Sequence, residues 1–239
     1  MIDRVEVVIP ARDEAGSIAA ALQAIDVAAA RVAVPTRVHV VLDRCVDDTL
    51  EVIGRTATSV PVEVVVASVA TVGDVRALGV ERAAIGCRPG STWIASTDAD
   101  SVVGADWLES HLALARAGIG AVVGAVTVGD WSVRPASVRE RFHHHDQGAR
   151  GPAPIHGANL GVRLDAYVAA GGFPSLACGE DRALVAALRA VGTTIAYTTA
   201  GPVTTSARVE GRARGGFADT LTAWALAADR WAPVPPALG

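Results

Sequence analysis

Four apolar runs of strand length, at residues 4–9, 38–42, 62–66 and 93–97, alternate with longer alanine-rich segments of helical period. That alternation constrains the fold more than any other feature. It predicts an α/β chain with a mostly parallel, twisted sheet and helices on both faces. Right-handed crossovers then bring the carboxyl ends of the strands to one edge, where open α/β sheets bind ligands. Helices are expected over about 17–30, with Ser17 as the cap, and over about 47–57, 74–85 and 105–117. The rhythm changes after Gly129. Residues 129–157 carry three prolines and the run His143-His144-His145-Asp146, and they read as a long irregular excursion. A short helix over 165–170, a break at Gly171-Gly172 and helices over 181–191 and 216–230 complete the expectation. With no internal repeat and no linker, residues 1–239 read as one domain.

Composition excludes several classes. Hydrophobic residues make up 51% of the 239 residues, far too many for a disordered chain. A net charge of −4 provides no basic field, so nucleic acid is not an expected partner. Every positive side chain is arginine, and chemistry that needs a Schiff-base or phosphate-binding lysine is excluded. The three cysteines Cys45, Cys87 and Cys178 are widely spaced with no C-x-x-C, and suggest neither a disulfide framework nor a zinc site. MIDRVEVVIP does not read as a signal peptide, and the apolar stretch 112–128 is broken by Arg116 and falls short of a spanning helix. A cytoplasmic setting is expected, free or peripheral at the inner face of the membrane.

Chemistry concentrates at strand ends. Asp98-Ala99-Asp100 follows the fourth run directly, and two carboxylates so close call for a cation or a donor-rich ligand. A hard divalent ion such as Mg²⁺ takes such oxygens; an acidic helix cap is the plainer alternative. Asp43 ends the second run, where a carboxylate can accept from a base or ribose. Asp47 and Asp48 stand at the start of the next helix, where negative side chains suit the dipole. Ile9-Pro10-Ala11-Arg12-Asp13-Glu14 spans the first strand end, with neither a dinucleotide fingerprint nor a P-loop. Glu180 and Asp181 open a later helix, as site residues or as ordinary capping acids.

Together these sites resemble the family 2 glycosyltransferases, nucleotide-sugar enzymes of the GT-A fold. The family's P-A-x-N-E is similar to Pro10 through Glu14, and its V-V-D-D-G-S-x-D-x-T to Val40 through Thr49. Its G-x-x-x-A-R-N-x-G segment resembles Gly73 through Gly79, with Arg76 at the basic position. The D-x-D follows as Asp98-Ala99-Asp100, and the later pattern as Gly157-Ala158-Asn159-Leu160, Gly171-Gly172-Phe173 and Glu180-Asp181. The likeness covers about residues 4–200 with its motifs in order.

The resemblance implies a nucleotide-sugar-binding half over about 1–128 and an acceptor-binding and catalytic-base half over about 129–239. Pro10, Ala11, Arg12 and Glu14 would line the nucleotide, with Asp43 on the base, uracil by default. Arg76 would face the nucleotide or its phosphates. Asp98 and Ala99 would border the ribose, and Asp98 and Asp100 would ligate Mn²⁺ or Mg²⁺ across the diphosphate. Asp181 would be the general base, with Glu180 beside it, giving inversion by single displacement. His156, Gly157, Asn159 and Trp131 would meet sugar or acceptor, the excursion serving as an acceptor lid.

Departures are present. Leu42 replaces an acid of the family pattern, Arg44-Cys45 replaces Gly-Ser, and Ala77 stands where asparagine is common. No Q-x-x-R-W follows Asp181, which argues for single-sugar transfer to a small-molecule or lipid-linked acceptor. Arg208, Arg212 and Arg214 form a late basic cluster, either a phosphate clamp or a surface patch. The histidine run reads as a solvated loop rather than a metal cluster. Apolar surface on the last helix would admit a homodimer. The alternatives are a nucleotide-sugar-binding protein without catalysis and a sugar-phosphate nucleotidyltransferase, the latter lacking its glycine-rich loop and lysine.

Overall fold

The structure, a computed structural model, describes residues 1–147, 154–213 and 215–227. The four expected strands form as β1 (Arg4–Ala11), β2 (Thr36–Asp43), β3 (Val62–Ala67) and β4 (Thr92–Ser96), each within two residues of the expected ends. Between them run α1 (Ile18–Ala30), α2 (Thr49–Arg55) and α3 (Val72–Ala83). Side chains alternate across β1: Val5, Val7 and Ile9 join one core, Val8 the other. The first core is completed by Ile18, Leu22 and Ile25 of α1, with Trp107, Leu108 and Leu112 of α4 (Trp107–Arg116). The second is filled by Val80 and Ala83 of α3, Leu164 of α6 (Leu164–Ala169), and Leu184, Val185 and Leu188 of α7 (Glu180–Ala190). Helices therefore cover both faces, as the alternation requires.

Four further strands extend the sheet: β5 (Val102–Val103), β6 (Ala121–Val128), β7 (Leu160–Arg163) and β8 (Ile195–Thr205). The order is β3-β2-β1-β4-β7-β6-β8-β5, with β7 and β5 running against the rest. The apolar stretch 112–128 is not one element. Helix α4 stops at Arg116, and Gly118 at φ 90 turns the chain into β6. Among the described residues, no helix is long and apolar enough to cross a membrane.

The excursion after Gly129 contains an element the sequence did not suggest, α5 (Ala136–Gln147). Its inward stripe is only Val138 and Phe142, one helical turn apart, and its partner is α8 (Phe217–Leu226) through Leu221. His143, His144 and His145 are exposed on this helix rather than in a loop, and Asp146 falls outside the described side chains. Helix α8 turns Phe217, Leu221 and Trp224 toward this inner cluster, while Leu226 stays exposed.

Helix α3 begins two residues earlier than expected because Thr71 and Asp74 form a reciprocal capping box. The early start brings Gly73 against the backbone of Pro174, where a Cβ would lie 1.9 Å from the carbonyl oxygen. It also places Arg76 in the second turn, directly beneath the strand ends.

Candidate functional site

The carboxyl edges of β1, β2 and β4 converge, and their loops are pinned to one another. Asp13, at φ 53, accepts a 2.7 Å hydrogen bond from the Val46 amide. Asp47 accepts from the Ala15 amide at 2.9 Å, and the Thr49 hydroxyl accepts from the Glu14 amide at 2.8 Å. Asp47 thus ties two loops together, beyond complementing a helix dipole. Asp13, Cys45 and Asp47 are a group whose ligand-type atoms lie within 4.8 Å of one another. The carboxylates of that group accept from backbone N–H groups.

Pro10 is half-buried, Ala11 joins the core and Arg12 is exposed at the same edge. Asp43 is buried at the end of β2 and clasped by its neighbour: Arg44, at φ 52, donates from Nη2 at 2.7 Å and from Nε at 3.0 Å. A further bond at 3.2 Å comes from the Val69 amide. Leu42 takes a core position, so the departure from an acid there fills the interior.

In the turn after β4, Ala99 is buried while Asp98 and Asp100 flank it with an arginine each. Arg76 Nη2 lies 2.5 Å from Asp98 Oδ1, and Arg208 Nη2 lies 3.0 Å from Asp100 Oδ2. The other arm of Arg208 reaches Glu14 Oε1 at 2.7 Å. Glu14 is buried, and its second oxygen accepts from Ser17 Oγ at 2.8 Å. Ser17 is indeed the N-cap residue of α1, but its hydroxyl serves Glu14 instead of the helix. Burial, the Asp98 charge and Glu14 push the Asp100 carboxyl up to about 6, with Arg208 pulling the other way.

Arg76 is the hub. Its guanidinium is buried and donates to Glu180 Oε1 at 3.0 Å, Ser96 Oγ at 2.7 Å and Asp98. Burial alone would favour losing its charge; Asp98 and Glu180 outweigh that and hold its pKa above the ordinary arginine value. The ring of Phe173 lies 5.9 Å from the guanidinium carbon. Gly157 backs against the same group, and a Cβ there would lie 2.6 Å from Nη2. The Gly157 amide donates to Asp181 Oδ2 at 2.8 Å. Asp181 is therefore oriented by the backbone, while Glu180 is engaged by Arg76.

Two of the residues expected to meet sugar or acceptor make contacts within the chain. Asn159 is fully buried; its oxygen accepts from Trp107 Nε1 at 2.9 Å and from His111 Nε2 at 3.2 Å. Its amide nitrogen donates to the carbonyls of Ala125 and Gly201. These four partners occupy the side chain in the interior, where it joins α4 to β6 and β8. Trp131 packs its ring on Phe142 at 5.3 Å, within the α5–α8 cluster. His156 stands 6.0 Å from the Phe217 ring, near Gly157.

One residue went unnoticed in the sequence. Arg134 donates to the Ala207 carbonyl at 2.8 Å, to the Arg208 carbonyl, to Ala218 at 3.1 Å and to Thr222. It fixes the backbone from which Arg208 projects. Its partners are 73 to 88 residues away, so no local pattern signals it. Arg212 donates to the Asp13 carbonyl at 2.8 Å, and Arg214 lies outside the described residues. A depression of about 330 Å³, lined by Gly120, Arg163, Asp165, Thr193 and Thr194 among others, shares none of these residues.

The edge thus assembles Glu14, Asp98, Asp100, Glu180 and Asp181 around the guanidiniums of Arg76 and Arg208. Carboxylates are in excess. Such a site can hold a cation, orient groups that bear negative charge and accept a proton.

No protein-family model matches the sequence, and neither does any curated protein. Solved structures do match. TarS of S. aureus in complex with UDP-GlcNAc superimposes at a TM-score of 0.66 with 13% identity, over 88% of this chain and 60% of that one. The mannosyltransferase PcManGT from Pyrobaculum calidifontis, in complex with GDP-Man and Mn²⁺, gives 0.63 with 20% identity, over 99% and 67%. Glucosyl-3-phosphoglycerate synthase from Mycobacterium tuberculosis, in complex with phosphoglyceric acid, gives 0.56 with 16% identity, over 96% and 81%. The chain spans about 60% of the length of the TarS structure it matches. At these identities the likeness is one of fold, and the fold is of the GT-A type.

Proposed function

We propose that this chain is a glycosyltransferase that moves a sugar from a nucleotide-sugar donor, UDP-linked by first choice, to a hydroxyl of a small-molecule or lipid-linked acceptor. One observation carries the reading. Through Arg76 the Asp98 carboxylate meets Glu180, beside Asp181, although Arg76 and Glu180 are 104 residues apart in the chain. That juxtaposition is what a transferase needs, a donor-diphosphate region and a proton acceptor on one edge. Two of the matched solved structures, which carry UDP-GlcNAc and GDP-Man, support the donor class.

In this reading Pro10, Ala11, Arg12, Glu14 and Asp43 line the nucleoside, and Asp98 with Ala99 borders the ribose. Asp98 and Asp100 would hold Mn²⁺ or Mg²⁺. The donor set fits: it is all oxygen, carboxylate in type, and stands where negative charge is in excess. When bound there, the ion would stabilise the charge that builds on the leaving diphosphate. Arg208 and Arg212 stand close enough to add guanidinium contacts to the same phosphates. Asp181, held by the Gly157 amide, takes the acceptor's proton as the hydroxyl oxygen bonds to the anomeric carbon and the sugar–phosphate bond breaks. One base and one displacement give inversion. Glu180, beside Asp181, holds Arg76 in place.

The test is thermal unfolding against UDP, GDP, dTDP and CDP, with and without Mn²⁺, with Asp100→Ala as control. A ligand at 100 times its Kd adds about 2.7 kcal/mol, or roughly 5–10 °C for a chain of this size. A Mn²⁺-dependent shift with one nucleotide, lost in Asp100→Ala, is expected. No shift with any nucleotide would remove the donor site. Asp181→Asn should keep that shift and lose about 10²–10⁴-fold in transfer; intact turnover would reassign the base. Nucleotide binding with no transfer to acceptor or water would favour a binding protein.

A further inference from the structure

Arg208 lies between two acids of the strand-end edge. Its two outer nitrogens are each bound to a different carboxylate, Glu14 at 2.7 Å and Asp100 at 3.0 Å. Both acids are largely buried, with side chains 7% and 12% exposed. Glu14 follows β1 and Asp100 follows β4, and Arg208 comes from beyond β8. A guanidinium held between two carboxylates of separate loops offsets part of the negative charge at this edge.

The remaining geometry says what can move. Arg134 grips the carbonyls of Ala207 and Arg208, so the backbone at this point is fixed. The Arg208 side chain itself is 29% exposed, unlike Arg76 at 4%, so part of it already faces solvent. Arg212, 42% exposed, stands beside it with Nε 4.0 Å from Glu14 Oε1. A divalent ion on Asp100 and a guanidinium on the same carboxylate repel each other, and they compete for the same lone pairs.

We propose that Arg208 and the divalent cation exchange on Asp100. In the metal-free chain Arg208 neutralises Asp100 and Glu14; metal binding displaces its side chain, which then contacts the diphosphate of the donor together with Arg212. The inference rests on the donor-site reading above and adds an order of events to it: the cation loads first and thereby prepares the phosphate contact. It makes Arg208 a donor-binding residue that opposes one ligand and favours the next.

Opposite signs distinguish this from a merely structural ion pair. Mn²⁺ binding to the metal-free full chain is measured by the paramagnetic resonance signal of free Mn²⁺, for wild type, Arg208→Gln and Arg208→Lys. Binding of UDP, GDP, CDP and dTDP is then measured at saturating Mn²⁺. Arg208→Gln should bind Mn²⁺ about tenfold more tightly and the nucleotide about tenfold more weakly, on the scale of one charge-assisted contact. Arg208→Lys, which keeps the charge but not the fork, should fall between and guards against a glutamine variant that does not fold. A variant that weakens both ligands, or changes neither, overturns the exchange while leaving the donor site in place. Nucleotide binding without any Mn²⁺ binding also overturns it and removes the metal alone. If folded wild type binds neither Mn²⁺ nor nucleotide, the donor-site reading fails and the exchange fails with it.

Discussion

Arg76 shows what a single side chain contributes here and how little of that its own neighbourhood announces. Its guanidinium meets the side chains of Glu180, Ser96 and Asp98 within 3.0 Å, and it is buried among them. Removing it leaves the buried Glu180 carboxylate without its cation, a defect that costs about 3–5 kcal/mol in general. The lower end is expected for Arg76→Met, because Asp98 is 34% exposed and can rehydrate. Urea denaturation at pH 7 measures it, and adding Glu180→Met should recover part of the loss. A cost below about 1 kcal/mol would mean the pair is solvated. Asp98 and Asp181 stood out as candidates because one follows a strand and the other opens a helix, whereas Arg76, inside α3, was singled out only through the family resemblance. The motif spacing did not reveal that Glu180 is engaged by Arg76, or that Arg44 clasps Asp43, since both depend on side-chain reach. The interior partners of Asn159 were hidden for a related reason. An amide beside a glycine-rich turn looks the same in sequence whether it faces a ligand or four interior partners.

Among the elements, α4 depends on that same amide. Trp93 Nε1 donates to His111 Nδ1 at 3.5 Å, which leaves Nε2 as the proton-bearing nitrogen that donates to Asn159 at 3.2 Å. The ring is neutral in this tautomer, and burial pulls its pKa down to about 4 from 6.5. A depressed value means the folded state binds fewer protons than the unfolded one. The contribution of His111 is therefore complete above pH 6.5 and lost as pH falls toward 4, by up to about 3 kcal/mol. Denaturation at pH 7, 5.5 and 4 should show that slope, reduced by one proton in His111→Leu; an unchanged slope would place the effect elsewhere. Strands β1 to β4 and helices α1 to α4 were legible because each is an unbroken periodic run packed on its sequence neighbours. Strand β6 lay inside an apolar stretch with α4, and β7 is only four residues long. Helix α5 was hidden because two residues make its stripe and α8, its partner, lies far along the chain.

Across the whole molecule, the sheet joins the residues before 128 to those after it. Strand β4, before residue 128, pairs with β7 after it; β6 is flanked by β7 and β8; and β5 pairs with β8. The boundary near residue 128 is crossed by hydrogen-bonded ladders, by Arg76 to Glu180 and by Arg208 to Glu14. A ligand that binds only the strand ends of β1 and β4 should therefore stabilise the far half equally. Hydrogen exchange measures this directly, because the slowest amides report the global opening. Amides of β1 and β2 should share one opening free energy with those of β6 and β7. A nucleotide at 100 times its Kd should raise both by the same amount, about 2.7 kcal/mol. If β6 and β7 open at lower cost and the nucleotide protects only β1 and β2, the chain is two cooperative units. The ion pairs across the edge would then be contacts between them, and breaking either pair should unfold neither half.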